Sequence, residues 1–149
     1  MKYNLPPRVV RRRGLSLLEL TIVIATILSL LSILFVGTKA WKRGTDRSSC
    51  IMNIRALQMA MRSYQNMYGY SHGGRPYAEN GTQDIAKHLF DKGYIESEQY
   101  EHACGKDPCP SGGTYAVEFP DVFPEEGTLF MRCSLEKSDE HAPKDHASW

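Results

Sequence analysis

The side chains best suited to chemistry in this sequence are four cysteines, Cys50, Cys104, Cys109 and Cys133, and five histidines, His72, His88, His102, His141 and His146. Thiols and imidazoles can form disulfides, hold a soft metal ion, or serve as nucleophile and base. Spacing selects among these. Cys104 and Cys109 enclose four residues, and with Cys133, His102, His141 and His146 they could build a zinc site, but the intervals match no common zinc knuckle. No nucleophile–base motif and no glycine-rich phosphate loop is present, so these residues point away from an enzyme. His72 and His88 are expected at the surface or at the boundary of a core.

Glu19 poses a different chemical problem. It is the only charged residue in the run 15–36, 22 residues that are otherwise almost wholly apolar. As a helix that run would measure about 33 Å, enough to cross a hydrocarbon layer of about 30 Å. A carboxylate there is costly unless something pairs with it, and the run itself supplies no partner. The apolar stretch is too long for an ordinary secretion signal, and Val36-Gly37-Thr38-Lys39-Ala40-Trp41 makes a poor cleavage site. The simplest reading is a single-pass membrane anchor.

Charge divides along the chain in the same way. Residues 1–14 carry Lys2, Arg8, Arg11, Arg12 and Arg13 and no acid; against a whole-chain charge of +1, that leaves −4 for the remainder. A basic leader favours the cytoplasmic side, although Lys39, Lys42, Arg43 and Arg47 beyond the run reduce the asymmetry. The acidic remainder argues against a dedicated nucleic-acid binder, which would show a basic stripe.

The stretch Arg13-Gly14-Leu15-Ser16-Leu17-Leu18-Glu19-Leu20-Thr21-Ile22-Val23-Ile24-Ala25 resembles the N-terminal processing motif of type IV prepilins and of the pseudopilins of type II secretion. The resemblance covers roughly the first 35 residues. It rests on the coincidence of a basic leader, a glycine, an apolar run and an acid at the fifth position after that glycine. It implies that a prepilin peptidase cuts the Gly14–Leu15 bond, that Leu15 becomes N-methylated, and that the apolar run stays on the mature protein. It also implies a role for Glu19. Cleavage creates an ammonium group at Leu15, and in a staggered filament one subunit's terminus can pair with the next subunit's Glu19, offsetting the desolvation of both. Leu15 stands where the family usually has phenylalanine, and Val36 where many members have a helix-loosening proline.

The implied partners are the peptidase, other pilin or pseudopilin subunits, the secretion or pilus assembly machinery, and the membrane. The implied location is the bacterial cytoplasmic (inner) membrane, crossed once, with the head in the periplasm or outside the cell. The small head favours a type II secretion-like pseudopilin over a pilus subunit. Two other functions remain open: a membrane-tethered binding protein that never polymerises, and a minor or competence pilin engaged in DNA uptake. Major pseudopilins often hold calcium in a head loop, which makes Asp121, Glu125 and Glu126 candidate ligands. No calcium-loop pattern is present, and the expectation is that no cofactor is bound.

These residues need elements to position them. In 37–68, Cys50, Ile54, Leu57, Met61, Tyr64 and Tyr68 recur at spacings of four and three, a narrow helical stripe with Arg47, Arg55, Gln58, Arg62 and Gln65 off it. With the apolar run this predicts one long helix ending at Gly69. The head, 69–135, should contain a short helix over 82–93, with Thr82 as N-cap and Ile85 and Leu89 facing the long helix. Strands at 114–119 and 128–133 should form an antiparallel hairpin. The fold class is therefore α+β and pilin-like: a leader 1–14, a membrane half 15–36, an amphipathic half 37–68 and a small head. The ends of the hairpin bring Cys109 beside Cys133, the first choice for a disulfide, with Cys104–Cys133 as the alternative and Cys50 as a small buried residue. The polar segment 136–149 is expected to be disordered.

Overall fold

The apolar run and the amphipathic stripe do form one element. In the structure, a computed structural model that describes residues 16–149, they make α1, Leu17–Tyr68. The Gly14–Leu15 bond lies outside the described residues. Contacts divide the chain into two units, Met1–Ala40 and Trp41–Trp149.

In the first unit, α1 is apolar on every face, and Leu20, Ile24, Leu31 and Phe35 are all exposed. The helix is long and apolar enough to cross a membrane. Four of its hydroxyls are satisfied internally: Thr21, Thr26 and Thr38 donate to the carbonyls of Leu18, Val23 and Phe35, and Ser32 to that of Leu28, at 2.8–3.1 Å. A hydroxyl bonded to its own helix can sit in an apolar surrounding at little cost.

In the second unit, α1 buries Cys50, Ile54, Leu57, Met61 and Tyr64, as the spacing requires, while Tyr68 leaves the stripe and is half-exposed. Gln58 and Gln65 are buried beside the stripe rather than off it. Their amides have partners, which makes burial affordable. Gln58 Nε2 donates to the Thr128 carbonyl at 3.2 Å, and its Oε1 accepts from the Phe130 N–H at 2.8 Å. Gln65 Oε1 accepts from the Arg62 guanidinium at 2.8 Å. Gly69, with φ of 68°, ends the helix in the left-handed conformation that a residue with a side chain resists.

The head has two short helices and one two-stranded sheet. The first helix, α2, is Ile85–Asp91 and buries Ile85 and Leu89. Its N-cap is Asp84, not Thr82. The Asp84 carboxylate accepts from the Ala86 and Lys87 N–H groups at 2.9 and 3.4 Å, while the Thr82 hydroxyl accepts from Asp84 N–H at 3.0 Å. A second helix that spacing did not reveal, α3, is Ser97–Ala103, and Gln99 Oε1 caps its first turn by accepting from Glu96 N–H at 2.8 Å. Tyr64 anchors the aromatic part of the core, with the rings of Tyr68, Tyr70, Tyr94 and Phe123 all within 6.1 Å in tilted or edge-on contact.

The strands β1, Tyr115–Val117, and β2, Met131–Cys133, pair antiparallel with Tyr115 opposite Cys133 and Val117 opposite Met131. The hairpin is present but shorter than the pattern suggested. Phe130 gives its N–H to Gln58 instead of a strand partner, and Phe119 is exposed ahead of Pro120. The connection is not a plain turn, because Phe123 returns to the core with no exposed surface and exchanges backbone bonds with Gly73 and Gly74 at 2.8 and 2.9 Å.

Residues of the segment 136–149 pack against the head. His141 is completely buried, the Trp149 ring lies under Arg55 at 5.2 Å, and Arg62 donates to the Trp149 carbonyl at 3.0 Å. Composition suggested disorder because it counts apolar residues. It does not register an imidazole and a carbonyl that fill sites prepared by the rest of the fold.

Candidate functional site

Two places combine chemistry with position. The first is the start of α1. Glu19 lies in its first turn, where a negative charge complements the unsatisfied N–H groups of a helix terminus. It is exposed, and it belongs to none of the ion pairs among the described residues. The hydroxyls of Thr21, Thr26, Ser32 and Thr38 bond within the helix, and none of them engages the carboxylate.

The second place is in the head, where Cys50, Cys109, Cys133 and His141 converge. Each offers one ligating atom, and these atoms lie within 4.8 Å of one another. All four residues are buried, Cys50 and His141 completely. They come from four separate elements. Cys50 belongs to the buried stripe of α1, Cys133 ends β2, and His141 sits in the C-terminal segment. Cys109 is held by a tight turn in which its N–H donates to the Gly113 carbonyl at 2.8 Å and its carbonyl accepts from Gly112 N–H at 2.7 Å. Gly112 has φ of 83°, a conformation that reserves this turn for glycine.

The surroundings of the cluster are polar only at specific points. His141 Nδ1 is 3.3 Å from the Cys109 sulfur. The opposite ring nitrogen, Nε2, is 3.3 Å from the Asp139 carboxylate, close enough for the charge to polarise the ring, although it is not aligned into a hydrogen bond and counts as unpartnered. The Tyr115 hydroxyl, near Cys50, accepts from Asn53 Nδ2 at 3.2 Å. Burial pushes the Cys50 and Cys133 thiols up from their ordinary range, and the neighbouring Tyr115 hydroxyl and Leu135 backbone act in the opposite sense.

The structure has all four cysteines as free thiols: Cys109 and Cys133 meet at the hairpin ends, in the company of Cys50 and His141. Cys104 is exposed and stands outside the cluster. Of the other histidines considered, His146 bonds to the Pro143 carbonyl at 2.7 Å. His102 groups with Glu98, also on α3, and with Asp107 beyond the helix, and meets the Tyr115 ring edge-on. His88 is buried rather than at the boundary; its Nε2 faces the Thr82 carbonyl at 3.1 Å and so carries the hydrogen, leaving Nδ1 to accept from the Tyr64 hydroxyl at 3.2 Å.

The acids named as calcium candidates do not gather. Asp121 pairs with Arg75 at 3.3 Å, Glu126 with His72 at 3.5 Å, and the Glu125 backbone carbonyl accepts from Arg62 at 3.0 Å. Neither group of potential metal ligands among the described residues includes them. A groove beside α1, lined by Arg55, Met59, Arg62, His72 and Trp149, lies on the same side of the head.

No protein family profile, curated protein or solved structure matches this chain.

Proposed function

We propose that this chain is a structural subunit of a pilin-like filament, a pseudopilin of a type II secretion-like machine, and not an enzyme. The observation that carries this reading is the apolar half of α1: exposed on all faces, with one carboxylate, Glu19, in its first turn that pairs with no cation among the described residues. Such a surface needs either lipid or other copies of itself around it, and the carboxylate needs a cation. Processing supplies the cation. Cleavage after Gly14 by prepilin peptidase exposes the Leu15 ammonium, which is then methylated on nitrogen without losing its charge. In a staggered stack the ammonium of one subunit reaches Glu19 of another, so the pair fixes the axial offset while the apolar faces supply packing area. Before assembly the same helix anchors the subunit in the cytoplasmic membrane, with the head on the far side.

Two measurements test this. Intact-mass analysis of membrane-extracted protein should show loss of residues 1–14 and the gain of one methyl group; an uncut chain refutes the processing step. Glu19→Ala should still be cleaved but should not enter filaments, and normal incorporation of that variant removes the role assigned to Glu19.

A further inference from the structure

We propose that Cys50, Cys109, Cys133 and His141 together bind one zinc ion, which locks α1, the hairpin and the C-terminal segment into a single head. The inference concerns Trp41–Trp149 alone and holds whether or not the apolar half of α1 polymerises.

The donor set comes first. Three sulfurs and one imidazole nitrogen make a closed structural zinc site, with no position left for water or substrate. Soft sulfur donors and the absence of any oxygen ligand in the group disfavour calcium and magnesium. Geometry agrees with the chemistry. With zinc–sulfur bonds of about 2.3 Å and a zinc–nitrogen bond of about 2.0 Å, tetrahedral donors stand about 3.5–3.8 Å apart. The four ligating atoms lie within 4.8 Å of one another, and Cys109 Sγ and His141 Nδ1 are 3.3 Å apart. An iron–sulfur cluster would hold its ligands around a body of several atoms, not around one point.

The outer contact is that of a metal site. A ligating imidazole usually turns its other nitrogen toward a carboxylate, and the Asp139 carboxylate lies 3.3 Å from His141 Nε2, near it without an aligned hydrogen bond. A disulfide explains less, because Cys109–Cys133 would leave the Cys50 thiol and the buried imidazole facing it with nothing to hold. Loading exchanges charge without redox chemistry: one Zn2+ enters, the three thiols release three protons to water, and sulfur is neither oxidised nor reduced.

The test uses the full chain, extracted in detergent and purified without chelator or added metal. Metal analysis should find one zinc per chain. With the ion bound, a thiol-alkylating reagent should label Cys104 alone at first, and after chelation under reducing conditions it should label all four cysteines. Cobalt(II), added alone to the chelated chain, should give the intense visible absorption of a tetrahedral thiolate site. Cys104→Ser should keep the zinc, whereas Cys133→Ser and His141→Ala should lose it. The wild-type labelling and cobalt measurements stand even where a ligand variant fails to fold. The proposal is overturned if the purified chain holds no zinc and peptide mapping finds a Cys109–Cys133 disulfide. It is equally overturned if cobalt gives no thiolate absorption, or if Cys104→Ser removes the metal as completely as His141→Ala.

Discussion

His141 Nδ1 lies 3.3 Å from the sulfur of Cys109, joining a residue of the C-terminal segment to a turn 32 positions earlier. The same segment carries the carbonyl of Trp149 to the Arg62 guanidinium, 87 positions back on α1. These contacts make the segment part of the head's core, and its removal should be felt as a core loss.

A chain stopped after Leu135 should therefore lose more than about 2 kcal/mol of stability, well beyond the effect of trimming a solvated tail. Denaturant unfolding of the detergent-solubilised chain, followed by aromatic fluorescence, checks this. An unchanged midpoint would return 136–149 to the status of a solvated tail.

Gln58 is 2% exposed and holds two backbone groups of the segment entering β2. Gln58→Ala leaves the Phe130 N–H buried without an acceptor, so a loss of about 2 kcal/mol or more is expected. Amide hydrogen exchange at Phe130 should accelerate in the variant, and the β1–β2 register should be its nearest casualty.

Asp84 caps α2, and Thr82 bonds to Asp84 rather than to the helix. Asp84→Ala should cost about 1 kcal/mol, while Thr82→Ala should cost less. Equal losses from the two substitutions would restore the cap to Thr82.

Burial raises the Tyr64 phenol above its ordinary value of 10.0, and the neighbouring Tyr70 adds to the effect. The sign follows from the raised folded value. The stabilisation is complete below the unfolded pKa of about 10 and is lost as pH rises through and beyond it. Alkaline unfolding should start above that pH, with part of the tyrosinate absorbance appearing together with loss of tertiary signal. In Tyr64→Phe that shared component should shrink, and because His88 Nδ1 then loses its donor, the variant should also be less stable at neutral pH.

What could be read from sequence depended on how far apart the interacting residues are. The stripe from Cys50 to Tyr64 and the core face of α2 follow from local periodicity, and the hairpin from two β-rich runs around a turn. α3 escaped notice because Ser97–Ala103 buries only His102 and Ala103, with Tyr100 partly covered, and takes its cap bond from a glutamine. Burial of Gln58 depends on partners 70 and 72 positions away, which no window along the chain contains. The cysteine–histidine cluster divides in the same way. Cys109 and Cys133 were brought together by the hairpin, whereas Cys50 and His141 join them only through the tertiary fold. Zinc knuckle spacing failed as a guide because it describes ligands that share one turn.

The ion pair between Arg47 and Glu140 links residues 93 positions apart, and the cluster likewise begins on α1 and is completed by a residue made much later, His141. A ribosome makes these in order, so Cys50 emerges long before His141 and cannot meet it until nearly all of the head has been synthesised. Cys104, Cys109 and Cys133 all arrive in the interval, each able to capture Cys50 by premature oxidation. Maturation of the head is thus a race between late closure and early cross-linking, and the reducing power of the compartment through which the unfinished chain passes decides the winner.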